Sequence, residues 1–179
     1  MDLIEGIKGR RSIREFNNKD ISESTLKEII DSARYYPSWK NTQTARFIAV
    51  KSALKDKIAE EAVLGFEKNT NNIKGCNTLM VVSTINGRSG YERDGSPTTS
   101  KGSHFQSFDA GLATEALVLS AFEKGVGSVI LGIFDEAKIK EILNIGDDIS
   151  ISCIVAMGYF DAIPQAPKRK EIDEILKIV

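Results

Sequence analysis

Apolar residues recurring at three- and four-residue spacing mark the helices of this chain. Leu3, Ile4 and Ile7 predict a short helix face that ends near Gly9, and a strongly cationic stretch follows. Ser22 reads as the N-cap of a second helix, with Ile21 before it and Leu26 after it placed to form a hydrophobic staple. Leu26, Ile29, Ile30 and Ala33 repeat along one face until Pro37 ends the segment. Leu54, Ile58, Ala62, Val63 and Phe66 predict a third helix, which gives way to a polar loop at Asn69-Thr70-Asn71-Asn72. Asp135 caps a helix carrying Ile139, Ile142 and Leu143, and a last short helix is predicted from Glu171 to Val179. Continuous apolar runs predict buried strands at Phe47 to Val50, Leu79 to Val82, Val129 to Leu131 and Ile151 to Met157, with Gly127 as a helix stop before the third.

Two stretches depart from these periods. From Asn86 to Ser107 the chain is rich in Gly, Ser, Thr and charge and shows no periodicity, as expected of a functional lid or binding loop. From Ala110 to Phe122 the composition is helical, yet apolar residues cover nearly the whole circumference. A subunit interface is a natural way to complete the burial of such a helix in a small domain. Helices and strands mix without regular βαβ alternation, so the expected class is α+β, with residues 1–179 as a single domain.

Composition narrows the chemistry. Lys and Arg number 24 and Asp and Glu 25, so the net charge of −1 provides no long-range field for nucleic acid or an anionic membrane. No apolar run approaches the roughly 20 residues of a membrane helix. No export signal is visible and the two cysteines stand far apart, so a reducing cytoplasm is the expected location. A single histidine and two isolated cysteines offer no metal-ligand cluster, and Cys76 and Cys153 read as core residues. Serine-hydrolase, P-loop and dinucleotide-fold glycine motifs are absent.

Two stretches carry the candidate chemistry. If Arg10-Arg11-Ser12-Ile13-Arg14 is extended, Arg10, Ser12 and Arg14 point the same way and set two guanidiniums and a hydroxyl along one edge. Guanidiniums suit phosphate and other oxyanions through bidentate, charge-assisted hydrogen bonds, although a solvated basic turn would look the same. A second basic cluster, Lys168-Arg169-Lys170, lies far away in sequence, and both clusters are easiest to explain if they hold one anionic ligand. Pro37-Ser38-Trp39-Lys40-Asn41-Thr42-Gln43 combines a flat apolar ring with paired donors and acceptors, as recognition of a heteroaromatic ring requires.

The order Arg-Arg-Ser-x-Arg-x-Phe, then Pro-Ser-x-x-Asn-x-Gln, then Asp109-Ala110-Gly111 opening an apolar helix that ends in Gly-x-Gly-Ser, then Leu131-Gly132 and a terminal Pro-Lys-x-Lys segment, resembles the nitroreductase family of FMN-dependent oxidoreductases. The resemblance spans nearly the whole chain. It implies an α+β fold with a central, mainly antiparallel sheet flanked by helices, in an intertwined homodimer with FMN at the subunit interface. Arg10, Arg11, Ser12 and Arg14 would hold the phosphate, ribityl chain and pyrimidine edge of FMN, and Lys168 and Arg169 would complete the phosphate site. Pro37, Ser38 and Trp39 would come from the partner subunit, with Asn41 and Gln43 shaping the loop and Asn71 at the pyrimidine edge. The backbone of Leu131 and Gly132 would lie at flavin N5 and O4, with no protein nucleophile needed. The implied activity takes hydride from NAD(P)H and passes electrons to a quinone, nitroaromatic or other conjugated acceptor by a ping-pong route. A flavin-binding or flavin-sensing protein with little turnover is the second reading.

Overall fold

The described residues of the computed structural model, 2–179, form one antiparallel sheet of four strands. These are β1 (Ala45–Val50), β2 (Thr78–Ile85), β3 (Val126–Leu131) and β4 (Ile149–Tyr159), arranged β1-β2-β4-β3. Strand β2 shows why its sequence is continuously apolar rather than alternating. Leu79 and Val81 pack into a core with Ile58, Ala62 and Ile73, whereas Met80 and Val82 pack into a second core with Ile29, Leu117 and Ala121. The sheet is therefore buried on both faces. Helices α2 (Glu23–Ala33) and α5 (His104–Glu123) cover one, and α3 (Ser52–Glu61), α4 (Glu67–Gly75) and α6 (Glu136–Leu143) cover the other.

Strong local signals form the elements they predict. The Ser22 hydroxyl accepts from the Thr25 N–H at the start of α2, and the Asp135 side chain accepts from the Lys138 N–H at the start of α6. Other segments differ from the sequence reading. The predicted third helix breaks after Glu61, where Leu64 and Gly65 adopt positive φ, and the predicted polar loop at Asn69-Thr70-Asn71-Asn72 is part of α4. Tertiary bonds hold that polar helix in place. The Asn69 amide donates to the Ile133 carbonyl and the Thr70 hydroxyl to the Ala59 carbonyl, and Asn69 and Asn72 are buried. Helix α5 starts at His104, six residues before Ala110, and the preceding loop is built from turns with a Tyr91–Pro97 bridge. Among the described residues the helical part of the C-terminus is α7 (Ile172–Ile175), and Ile172, Ile175, Leu176 and Ile178 are exposed there. The first helix, α1 (Leu3–Gly9), likewise leaves Leu3, Ile4 and Ile7 exposed and buries Gly6.

Gly125, with φ 70°, is the residue that ends α5, and Gly127 lies inside β3. Gly127 faces Gly158 across the ladder, and these two residues seat the N-terminal segment on the sheet. A Cβ on Gly127 would lie 2.7 Å from Ile13 Cγ1 and one on Gly158 would lie 2.8 Å from Phe16 Cδ1. The Ile13 N–H donates to the Ser128 carbonyl and the Asn17 N–H to the Tyr159 carbonyl, so residues 12–17 lie along the end of the sheet. Removing two side chains from the sheet is what lets a third backbone approach it.

Candidate functional site

The seat made by Gly127 and Gly158 directs the N-terminal basic segment into a cavity of about 350 Å³. Arg10, Arg11, Ser12 and Arg14 line it, and so do Pro164, Gln165, Pro167 and Arg169 from the other end of the chain. The two basic clusters thus converge, through Arg169. Lys168, which the resemblance placed in the phosphate site, is outside the lining. Arg11 also departs from the alternation expected of an extended segment. Its Nη1 donates to the Lys8 carbonyl at 2.6 Å and the Arg10 carbonyl at 2.7 Å, closing the C-terminus of α1. The Nε atoms of Arg10 and Arg11 are buried without a hydrogen-bond partner among the described residues. Orphaned guanidinium donors beside a hydroxyl and a further guanidinium form a donor set suited to a phosphate monoester carried on a polyol.

Leu131 ends β3 buried, and Gly132 follows it exposed, with nothing among the described residues within 4 Å of where its Cβ would be. The main chain there is open to a ligand. Asn71 is exposed on α4, whereas Asn69, two residues earlier, is buried and reaches the carbonyl of Ile133 next to Gly132. Asn69 is the asparagine of this helix that faces the end of β3.

The Pro37–Gln43 segment lies elsewhere in the same chain. Among the described residues, none of it lines the basic cavity. Trp39 to Asn41 form a single 3₁₀ turn, and Lys40, Asn41 and Gln43 have φ of 44°, 54° and 50°. Left-handed backbone costs a non-glycine residue about 1–2 kcal/mol, less for Asn. The turn is braced at both ends. The Tyr36 hydroxyl accepts from the Ala45 N–H, and burial pushes the pKa of that hydroxyl up. The Trp39 N–H donates to both carboxyl oxygens of Asp109, at 3.1 and 3.0 Å. The Trp39 ring lies 4.2 Å, centroid to centroid, from Phe105, while its Nε1 is buried without a partner among the described residues.

Neither thiol is poised for chemistry. Burial pushes the Cys76 thiol up to about 11 and raises that of Cys153 as well. The folded thiol of Cys76 titrates above an unfolded one, so its contribution to stability is complete below pH 9 and is lost as the pH rises toward 11. The expected loss is about 2 kcal/mol, read by urea unfolding at pH 8 and pH 11. In Cys76→Ala that part of the loss should vanish; an unchanged difference between the two pH values would assign it to other groups.

The Nitroreductase family profile matches residues 7–159. The chain belongs to the nitroreductase family. Similar family members lie in distant organisms. An Archaeoglobus fulgidus protein named "Putative NADH dehydrogenase/NAD(P)H nitroreductase" is 27% identical over 163 residues, 88% of this chain and 85% of that one. A nitroreductase family protein from Clostridium novyi NT is 30% identical with a TM-score of 0.75, covering 89% of this chain and 86% of that one. One from Streptococcus pneumoniae TIGR4, 21% identical, has a TM-score of 0.85 and covers 98% and 99% of the two chains.

Within this nitroreductase-family chain, sequence reading missed Gln165, Asn69 and the structural part played by Asp109. Asp109 had a visible signal, since a carboxyl group at the head of an apolar helix needs a buried partner or an exposed face. Gln165 had none, because only the fold brings the C-terminal segment to the basic cavity. Among the described residues no helix is long and apolar enough to cross a membrane.

Proposed function

We propose that the chain is an FMN-dependent NAD(P)H oxidoreductase, acting as a homodimer on quinone, nitroaromatic or similar conjugated acceptors in a ping-pong order. The observation that carries the reading is the convergence of Arg10, Arg11, Ser12 and Arg14 with Arg169 around one cavity, with two guanidinium Nε atoms left without partners. The name of the Archaeoglobus fulgidus relative carries NAD(P)H, and a solved structure 24% identical to this chain, with a TM-score of 0.80, is titled as an oxidoreductase containing FMN.

Arg10, Arg11 and Arg169 would bind the phosphate and Ser12 the ribityl hydroxyls, with Arg14 further along the segment toward the ring. Leu131 and Gly132 would offer main-chain groups to the ring's redox edge, where a side chain would intrude. When bound, flavin supplies the two-electron chemistry that no side chain here can perform. The protein's part is to hold the ring, exclude water and place cations beside it. Pro37, Ser38 and Trp39, with Asn41 and Gln43, would reach the cavity of the partner subunit, which accounts for their separation from the basic cavity of their own chain. Leu3, Ile7, Ile172, Ile175 and Leu176 are exposed large apolar residues, and half-buried Leu112, Ala116 and Leu119 extend along α5, in keeping with a partner surface.

The direct test is purification with the visible spectrum recorded, followed by NADH oxidation on mixing with menadione. Stoichiometric FMN and rapid oxidation are expected. Colourless protein that does not bind added FMN, or recovery of FAD, would refute the reading. Gly132→Ala provides a sharper check. The added methyl meets open space, so unfolding of the flavin-free protein should be unchanged within about 0.5 kcal/mol, while FMN affinity falls about tenfold. Equal affinity in variant and wild type would move the ring away from Gly132.

A further inference from the structure

We propose that Asp109 is the positioning residue of the Trp39 loop: its carboxyl group fixes the backbone that presents Trp39 and thereby fixes how that loop meets the flavin. The second half of this statement rests on the FMN reading above; the first half stands on geometry alone. Asp109 is 1% exposed on the inner face of α5, among Ala110, Ala113 and Leu117. A buried carboxyl group survives there only if its oxygens are satisfied. The donors that satisfy it are neutral and all belong to loops. The Trp39 N–H reaches both oxygens, and the Ser89 hydroxyl donates to Oδ2 at 2.6 Å.

Ser89 carries the grip further. It is fully buried, and its hydroxyl contacts those of Thr42 at 2.9 Å and Thr44 at 3.2 Å. Asp109 therefore holds the turn at its first residue directly and at its far end through Ser89. The left-handed residues Lys40, Asn41 and Gln43 lie between these two points. Such a conformation persists only where its surroundings over-determine it. The Trp39 ring is registered on the same helix, against Phe105, one turn before Asp109. Backbone and ring of Trp39 are thus both referred to α5. An alanine at position 109 would suit an apolar helix face; a carboxyl group there specifies one loop conformation.

Trp39 is the single tryptophan of the chain, so its fluorescence reports on this loop alone. The experiment compares full-length wild type, Asp109→Ala, Asp109→Asn and Ser89→Ala, each stripped of flavin, by emission maximum, acrylamide quenching and far-UV circular dichroism, then by FMN titration. With helix content unchanged, Asp109→Ala should red-shift the emission and raise the quenching constant at least twofold. It should also raise the FMN Kd about tenfold. Asp109→Asn keeps one acceptor oxygen for the Trp39 N–H and should fall between it and wild type. Ser89→Ala frees only the far end of the turn and should give a smaller change in both readouts; it also decides the matter if Asp109→Ala does not fold. Wild-type quenching in Asp109→Asn and Ser89→Ala would overturn the proposal. Altered quenching with an unchanged FMN Kd would overturn its second half. If wild type itself bound no FMN, the proposed function would fall, while the fluorescence would still decide whether Asp109 holds the loop.

Discussion

Replacing Gly127 with valine is expected to lower the melting temperature by about 3–10 °C and to abolish stable FMN binding. A Cβ at this position would sit 2.6 Å from Phe160 Cδ1, 2.7 Å from Ile13 Cγ1 and 2.9 Å from Ile13 Cβ. Ile13 cannot retreat into solvent without cost, since it is 2% exposed and its N–H is bonded to Ser128. Overpacking of this kind costs about 1–3 kcal/mol, and a chain of this size loses about 2–4 °C per kcal/mol. The functional effect should exceed the thermal one, because moving Ile13 moves Arg10, Ser12 and Arg14 with it. Calorimetry and FMN titration read the two effects separately. Gly75→Ala, whose methyl meets nothing within 4 Å, is the control and should leave both unchanged. Full FMN affinity in Gly127→Val would show that the basic segment is seated by something other than the glycine pair.

Arg14→Ala and Arg10→Ala should differ in kind. Along an extended segment the two residues lie about 13 Å apart, from four steps of roughly 3.3 Å, so they reach different parts of a long ligand. Arg14 is exposed, its Nη1 donating to the Ser12 carbonyl at 3.3 Å, whereas Arg10 is half-buried with its Nε without a partner among the described residues. A cation beside a ring that gains negative charge on reduction raises its potential. Solvent screening reduces the effect of an exposed guanidinium, so losing Arg14 should lower the two-electron midpoint by about 20–60 mV, on the scale where 30 mV is 1.4 kcal/mol. Arg10→Ala should leave the potential of saturated protein unchanged and weaken FMN binding about 30-fold, the loss of one charge-assisted contact. Redox titration in excess FMN, with binding measured alongside, separates the two variants. Equal potentials in Arg14→Ala and wild type would make Arg14 another anchor.

That Arg10 and Arg14 would reach different parts of one ligand is an expectation from alternation along an extended segment, a local pattern; the half-burial of Arg10 and the exposure of Arg14 are not in that pattern. Asn71 shows the limit of such reading. Its neighbourhood is polar enough to look like a loop, yet Asn69 and Thr70 bond to Ile133 and Ala59, residues that no local pattern connects to them. Position on a helix face then decides which asparagine points inward, and Asn71 is outside.

Signals completed within a few residues belonged to the sequence: the Ser22 and Asp135 caps, the period of α2, and the unbroken apolar run of β2 that implies burial on both faces. So did the basic and aromatic segments themselves. What depended on residues distant in the chain was decided only by the tertiary structure. Arg169 joins Arg10, Arg11 and Arg14 because the C-terminal segment returns to the end of the sheet. Gly127 acts as a seat because Ile13 crosses it, and Asp109 holds Trp39 because α5 passes under the turn. Periodicity records which side of an element is apolar, but it does not record which other element that side will meet, and a site built from several elements exists only once they have met.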